Sequence, residues 1–195
     1  MNHAVSPPSL PDGSPEAASA SAAHDPRSVA ATTVTEPRPT LVPALPHRVI
    51  LDTQIVMDWL VFDEPRVMPI IALVESRHLL WTATPAMQAE MLHVLGRGVA
   101  ARYEPDLTRI QAAFAGHCEL VEEPVLGMGR PRCSDEDDQK FIDLGLHLAS
   151  LAPTTLISRD RAVLKVAKRA ARLGLEIVSP DIWIKRNPIP TQPRT

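Results

Sequence analysis

The chain has 195 residues, with 20 Lys and Arg against 23 Asp and Glu, a formal net charge of −3 at pH 7 and a 45% hydrophobic share. That length holds one ordinary domain and a tail rather than two full domains, and the apolar share supports a real core. The near-balanced charge excludes a strongly basic, nucleic-acid-coating protein while leaving room for a local basic patch.

The two cysteines, Cys118 and Cys133, give neither a disulfide framework nor zinc spacing, so two reduced thiols are expected. The start lacks a basic segment followed by an apolar one, and Asp12, Glu16, Asp25 and Glu36 speak against a transit peptide. No window approaches the roughly 18 apolar residues needed to span a bilayer. The expectation is a soluble cytoplasmic protein with no membrane attachment.

Residues 1–46 are rich in Pro, Ala, Ser and Thr and poor in large apolar side chains. Such a segment buries too little surface to offset its chain entropy and reads as a disordered leader. Residues 186–195 carry repeated prolines and read as a flexible tail. The folded unit expected between them is 47–185.

Within it, His47-Arg-Val-Ile-Leu-Asp52 reads as a short strand ending in an acid, and Thr53 as the cap of a helix to about Phe62. A helix over 67–77 and a strand over 79–83 follow. Thr84-Pro85 opens the next helix, with the hydroxyl as N-cap and proline at the first helical position. That helix stops near Gly96 and Gly98. The pattern continues with a helix over 105–115, a strand over 118–121 and a Pro/Gly loop over 122–134. A helix from Ser134 or Asp135 to about Leu151 and a strand over 154–158 come next. A basic helix over 161–173 ends at Gly174, ahead of a strand over 175–178 and a last turn from Pro180 to Trp183. Strands alternating with helices predict an α/β fold with a parallel sheet covered on both faces. In such sheets functional groups gather beyond the carboxyl ends of the strands.

Asp52 and Asp160 both fall at strand ends on that rim. Each alone is explained by capping the next helix; together they point to a site. Glu90 shares the side of its helix that carries Met87, Met91 and Val94. It is either a buried ligand or an edge residue whose head reaches solvent. Ser134-Asp-Glu-Asp-Asp138 puts four acids in a row. A solvated first helical turn would explain them, yet Asp138 also stands three before Phe141, beside the core-facing stripe. Asp138, supported by Asp135 and brought near Asp52 and Asp160, would form a set of hard oxygen ligands suited to Mg²⁺ or Mn²⁺ rather than zinc. Such a set serves metal-assisted phosphodiester hydrolysis. No serine or cysteine nucleophile motif, phosphate-binding loop or dinucleotide fingerprint is present.

These residues, in this order, resemble the PIN-domain family. The resemblance rests on Val49-Ile-Leu-Asp52-Thr53 ahead of an apolar helix, the helix acid Glu90, the run Cys133-Ser-Asp-Glu-Asp-Asp-Gln-Lys-Phe141 and the strand end Leu156-Ile-Ser-Arg-Asp160. It is closest to the branch of toxin components of toxin–antitoxin systems related to VapC-type ribonucleases, and it covers residues 48–183. It implies a PIN-like three-layer α/β/α fold with a five-stranded parallel sheet. It also implies a Mg²⁺- or Mn²⁺-dependent endoribonuclease that cleaves single-stranded RNA by in-line attack of water, leaving a 3′-hydroxyl and a 5′-phosphate. Asp52, Glu90, Asp138 and Asp160 would be the catalytic metal ligands, with Asp135 in support, and a cognate antitoxin would be a partner.

Two positions depart from the family pattern. Gln54 stands where Asn is usual after Asp-Thr, and Gln139 aligns with the third acid of many PIN domains. They keep a second reading open, a catalytically impaired module that binds RNA or protein. A haloacid dehalogenase-type phosphatase would need a second Asp where Gln54 stands, and a response-regulator receiver would need an Asp–Lys pair that is not found.

Arg159 and Arg161 flank Asp160 and are candidates to meet RNA phosphates. Lys165, Lys168, Arg169 and Arg172 read as a solvated helix face. The seven histidines show no ligand spacing, and Trp59, Trp81 and Trp183 read as core. Ile55, Val56, Trp59, Leu60 and Phe62 make the first helix more apolar than one buried stripe needs, so an antitoxin or a second copy in a homodimer is expected to cover the excess.

Overall fold

A computed structural model describes residues 46–188. The expected leader, except Pro46, and most of the expected tail lie outside the described residues. The chain begins with β1 (Arg48–Leu51), α1 (Thr53–Leu60), α2 (Met68–Glu75), β2 (Leu80–Ala83) and α3 (Pro85–Gly96). A 3₁₀ turn over Ala101–Tyr103 leads to α4 (Leu107–His117) and β3 (Cys118–Leu120). A long loop then precedes α5 (Gln139–Ala149), β4 (Thr154–Ile157), α6 (Arg161–Lys165), α7 (Ala167–Ala171), β5 (Leu175–Val178) and α8 (Pro180–Arg186).

The five strands form one sheet in the order β3-β2-β1-β4-β5, with every pairing parallel. This is the expected three-layer α/β/α arrangement. Parallel strands need helical crossovers, and those crossovers cover both sheet faces, so the inner strands β1, β2 and β4 are almost wholly buried while the edge strand β3 is not. All four residues of β4 are buried. On one face Trp81 of β2 meets Trp59 of α1 and Phe114 of α4, with ring centroids 5.5 and 4.6 Å apart. On the other face α5 lies against β1, β4 and β5. Trp183 completes the buried tryptophans, so all three belong to the core, as expected.

α5 approaches the sheet closely because Gly145 has no side chain. A Cβ there would stand 2.7 Å from Leu175 Cδ2 and 3.4 Å from Ile50 Cδ1. Gly145→Val should therefore destabilise the protein by about 2 kcal/mol through overpacking. Urea unfolding measures it, and an unchanged midpoint would refute this account of the α5 contact.

Several local expectations hold and several change. Thr84 caps α3, its hydroxyl accepting the Met87 N–H at 3.4 Å, and Gly174 ends α7 at φ +87°, the left-handed conformation that favours glycine. The cap position of α1 is Asp52, not Thr53. α5 starts at Gln139 rather than at Ser134 or Asp135. The acidic run instead folds as turns, with Asp135 Oδ1 accepting the Asp137 N–H at 3.0 Å; such local side-chain bonds compete with helix. The basic helix over 161–173 is two helices. They part at Val166, where the chain tightens and the Val166 N–H reaches the Val163 carbonyl at 3.1 Å.

The surplus apolar face of α1 is also corrected. Ile55, Val56, Trp59 and Leu60 are all buried within this chain's own fold, and Phe62 packs against the core and the Tyr103 ring, 4.7 Å away. Trp59 packs against Trp81 and His117, and the Tyr103 turn between α3 and α4 covers Phe62, which periodicity within α1 could not reveal. Among the described residues no helix is long and apolar enough to cross a membrane.

Candidate active site

In the strand order β3-β2-β1-β4-β5, the chain proceeds outward from β1 through β2 to β3, then returns to the other side of β1 with β4 and β5. The topological switch therefore lies between β1 and β4, and a crevice outside their carboxyl ends is the place such sheets use for function. Leu51 pairs with Ile157, so the next residues, Asp52 and Ser158, stand side by side at the switch.

Asp52 is 5% exposed and Ser158 is fully buried. The Ser158 hydroxyl donates to Asp52 Oδ2, and Ser158 Oγ in turn accepts the Asp160 N–H at 2.9 Å. One serine thus ties the two rim acids together, a role the sequence reading missed. Its position next to the Arg-Asp strand end was the only available signal. Asp160 caps α6, with Oδ1 accepting the Ala162 N–H at 2.5 Å and the Val163 N–H at 3.3 Å. The capping explanation considered for it is therefore met in full, and it coexists with closeness to the other acids.

Glu90 reaches the same region from α3 and Asp138 from the start of α5. Burial pushes the Asp52 carboxyl above its usual range. The Ser158 hydroxyl and the Gln54 N–H oppose this, while the charges of Asp160 and Glu90 add to it. The Asp138 carboxyl is pushed up to about 7, first by burial, then by Asp52, Asp160, Asp135 and Glu90. Charges from four separate segments therefore act on one another at this rim, with Asp135, which is exposed, among them.

The donors are all carboxylate oxygens, the set that hard divalent ions prefer. One of them, Glu90 Oε2, is buried and has no hydrogen bond. The Lys140 Nζ lies 2.8 Å from it, close enough for charge attraction but off the hydrogen-bonding direction. An acceptor left this way is expensive unless a cation or donor engages it. The side chains converge without closing, since no three His, Cys, Asp or Glu among the described residues are gathered tightly enough to hold an ion as they stand. By donor chemistry, with one Glu90 oxygen faced by an ammonium but outside any hydrogen bond, the residues fit a divalent ion.

The Gln139 amide faces away from this business. Its Oε1 accepts the Cys133 N–H at 2.7 Å, and its Nε2 donates to the Pro131 carbonyl at 3.1 Å and to Asp143 Oδ1 at 2.7 Å. Arg130 binds the same Asp143 at 2.7 Å. Gln139 is thus a staple that fixes the loop before α5. The Arg159 guanidinium pairs with the buried Asp58 of α1, leaving its Nη2 buried and without a hydrogen bond. Arg161 is exposed at the start of α6, and Lys165, Lys168 and Arg172 are exposed along the helices behind it. Arg169 instead donates to the Arg132 carbonyl at 3.1 Å. Cys118 and Cys133 are free thiols, and burial pushes the Cys118 thiol up to about 12, which leaves it unreactive.

The raised Asp138 pKa has a consequence for stability. Unfolded, this group titrates near 3.8; folded, it titrates at about 7. Between those values the folded state binds more protons, so the contribution of Asp138 is fully present below about pH 4 and lost as pH rises through about 7. In a metal-free buffer, the melting temperature should fall between pH 5 and pH 8, and Asp138→Asn should flatten that fall. Scanning calorimetry across the range checks both, and equal slopes for the two proteins would contradict the assignment.

A family model for the PIN domain matches residues 48–173, more than half of the chain. No curated protein matches. The chain belongs to the PIN-domain family, whose members are generally metal-dependent nucleases.

Proposed function

We propose that this PIN-domain protein is an endoribonuclease that hydrolyses phosphodiester bonds of single-stranded RNA with Mg²⁺ or Mn²⁺ as cofactor. The observation that supports the reading is the pair of rim acids, Asp52 and Asp160, tied together through Ser158 at the switch point of the sheet, with the charges of Asp52, Asp160 and Glu90 all acting on Asp138. These four side chains would hold the ion, with Asp135 in support. When bound, a divalent ion supplies an acidified water and neutralises charge developing on phosphorus.

The chain's own contributions follow from its contacts. Ser158 orients the Asp52 carboxylate, as outer partners of metal ligands do. The α6 N–H groups fix Asp160 against rotation. Arg161, exposed beside the rim, would meet a substrate phosphate. Arg159, which flanks Asp160 and whose Nη1 is paired with Asp58, is proposed as the second contact on its place beside the rim. The commitment of Gln139 to the 131–133 loop supports Asp138 as the third acid, because the glutamine is spent on architecture and the aspartate faces its fellow acids.

A toxin role with a cognate antitoxin, and cytoplasmic action, are part of the proposal and are supported by the sequence resemblance. A homodimer is proposed without the α1 face that first suggested it. The test is cleavage of a mixed single-stranded RNA by purified full-length protein with Mn²⁺, with Mg²⁺ and with chelator, beside Asp138→Asn. Metal-dependent cutting lost in the variant is expected. Folded wild-type protein that binds RNA without cutting it would favour the impaired binding module instead.

A further inference from the structure

Lys140 is the second residue of α5 and directs a cation into a group of carboxylates. Its Nζ donates to the Asp137 carbonyl, lies 5.2 Å from the centroid of the Phe141 ring and approaches Glu90 Oε2 to 2.8 Å. The side chain is 26% exposed and that of Glu90 28%, so the pair is neither freely solvated nor sealed. The Glu90 oxygen facing the ammonium makes no hydrogen bond. Its charge is offset, yet its lone pairs are not committed. A compact ammonium on a flexible four-carbon stem can withdraw from such a contact without disturbing the backbone, and the Asp137 carbonyl and the Phe141 face give it somewhere to remain.

We propose that Lys140 is a resident countercation of the acidic site, holding Glu90 in the metal-free protein and yielding its place to the divalent ion. This rests on the metal reading above. An ordinary surface ion pair would be worth little, and its loss would leave metal affinity unchanged or lower it by loosening Glu90. A competing cation has the opposite signature, since its removal makes the ion bind more tightly.

Mn²⁺ titrated calorimetrically into the full chain, at fixed pH and ionic strength, separates the two. Lys140→Met should bind Mn²⁺ about fivefold more tightly than wild type, the size expected for a partly exposed charge pair. Lys140→Gln should do the same and serves if the methionine variant fails to fold, as judged by circular dichroism. Lys140→Arg, which keeps the charge, should stay near wild type. Unchanged or weaker binding in a folded neutral variant, with wild-type binding intact, would overturn the role of Lys140 alone. No Mn²⁺ binding by any of the folded proteins would overturn the metal reading itself, and this proposal with it.

Discussion

Asp52→Asn should lower the kcat/KM for RNA cleavage by on the order of 10³-fold, because in the proposed site losing one charged ligand would remove several kcal/mol of transition-state stabilisation and each 1.36 kcal/mol is tenfold. The substitution keeps shape and leaves an oxygen to accept from the Ser158 hydroxyl, so the fold survives. Stability should in fact rise. Burial and the charges of Asp160 and Glu90 all work against the ionised Asp52 in the folded protein, and a neutral amide is free of those penalties. A higher melting temperature together with lost activity is the signature of a site held together at the expense of stability. Ser158→Ala, which leaves the carboxylate charged but unoriented, should reduce activity by about 10–100-fold, as is usual for a group that orients a metal ligand. Steady-state kinetics on a short RNA, with calorimetry on the same samples, decides the matter. Activity of Asp52→Asn within tenfold of wild type would remove Asp52 from the site.

Much of this arrangement is legible in the chain itself, for physical reasons that differ by element. β1, β4 and β5 are short apolar runs bounded by polar or Gly residues, so their extent and their burial on both faces follow from pattern. Asp52 and Asp160 lie immediately beyond β1 and β4, and parallel pairing brings strand ends to one rim whatever the loops do. Where local chemistry competes with periodicity, the sequence misleads. The 134–138 run looks like a helical first turn because acids suit a helix N-terminus, but Asp135 bonds its own turn and Gln139 ties back to Cys133, delaying α5. Contacts between distant segments leave no local trace. Nothing near Gln139 announces its bond to the Pro131 carbonyl, nothing in α1 announces the turn that covers Phe62, and the pairing of Lys140 with Glu90 spans elements on different strands of the topology. Asp52, Asp138 and Asp160 could be read as candidates because they stand at element ends, and Glu90, inside α3, because it shares the apolar side of its helix. The groups that orient or neutralise them could not, because their meaning lies in tertiary contacts.

Asp58→Ala should destabilise the protein by about 3 kcal/mol, the lower end for breaking a buried ion pair. Asp58 and Arg159 retain side-chain exposures of only 8% and 20%, and they tie α1 to the segment that carries Asp160. Burial raises the Asp58 pKa, with Arg159 the largest influence in the other direction, so the guanidinium favours the charged carboxylate. Removing it strands Arg159, whose Nη2 already lacks a hydrogen bond. The loss should come mainly from the stranded charge rather than from the bond itself. The double variant Asp58→Ala/Arg159→Met should therefore recover most of the stability, since apolar replacement of both partners of a buried pair is often close to neutral. A urea double-mutant cycle measures this, and an Asp58→Ala cost below about 1 kcal/mol would show the pair to be an ordinary surface contact. The same double variant also separates architecture from binding. If its stability returns while its KM for RNA stays high, Arg159 contacts the substrate as well as α1. If stability and KM return together, the guanidinium serves the fold alone and Arg161 carries the phosphate contact.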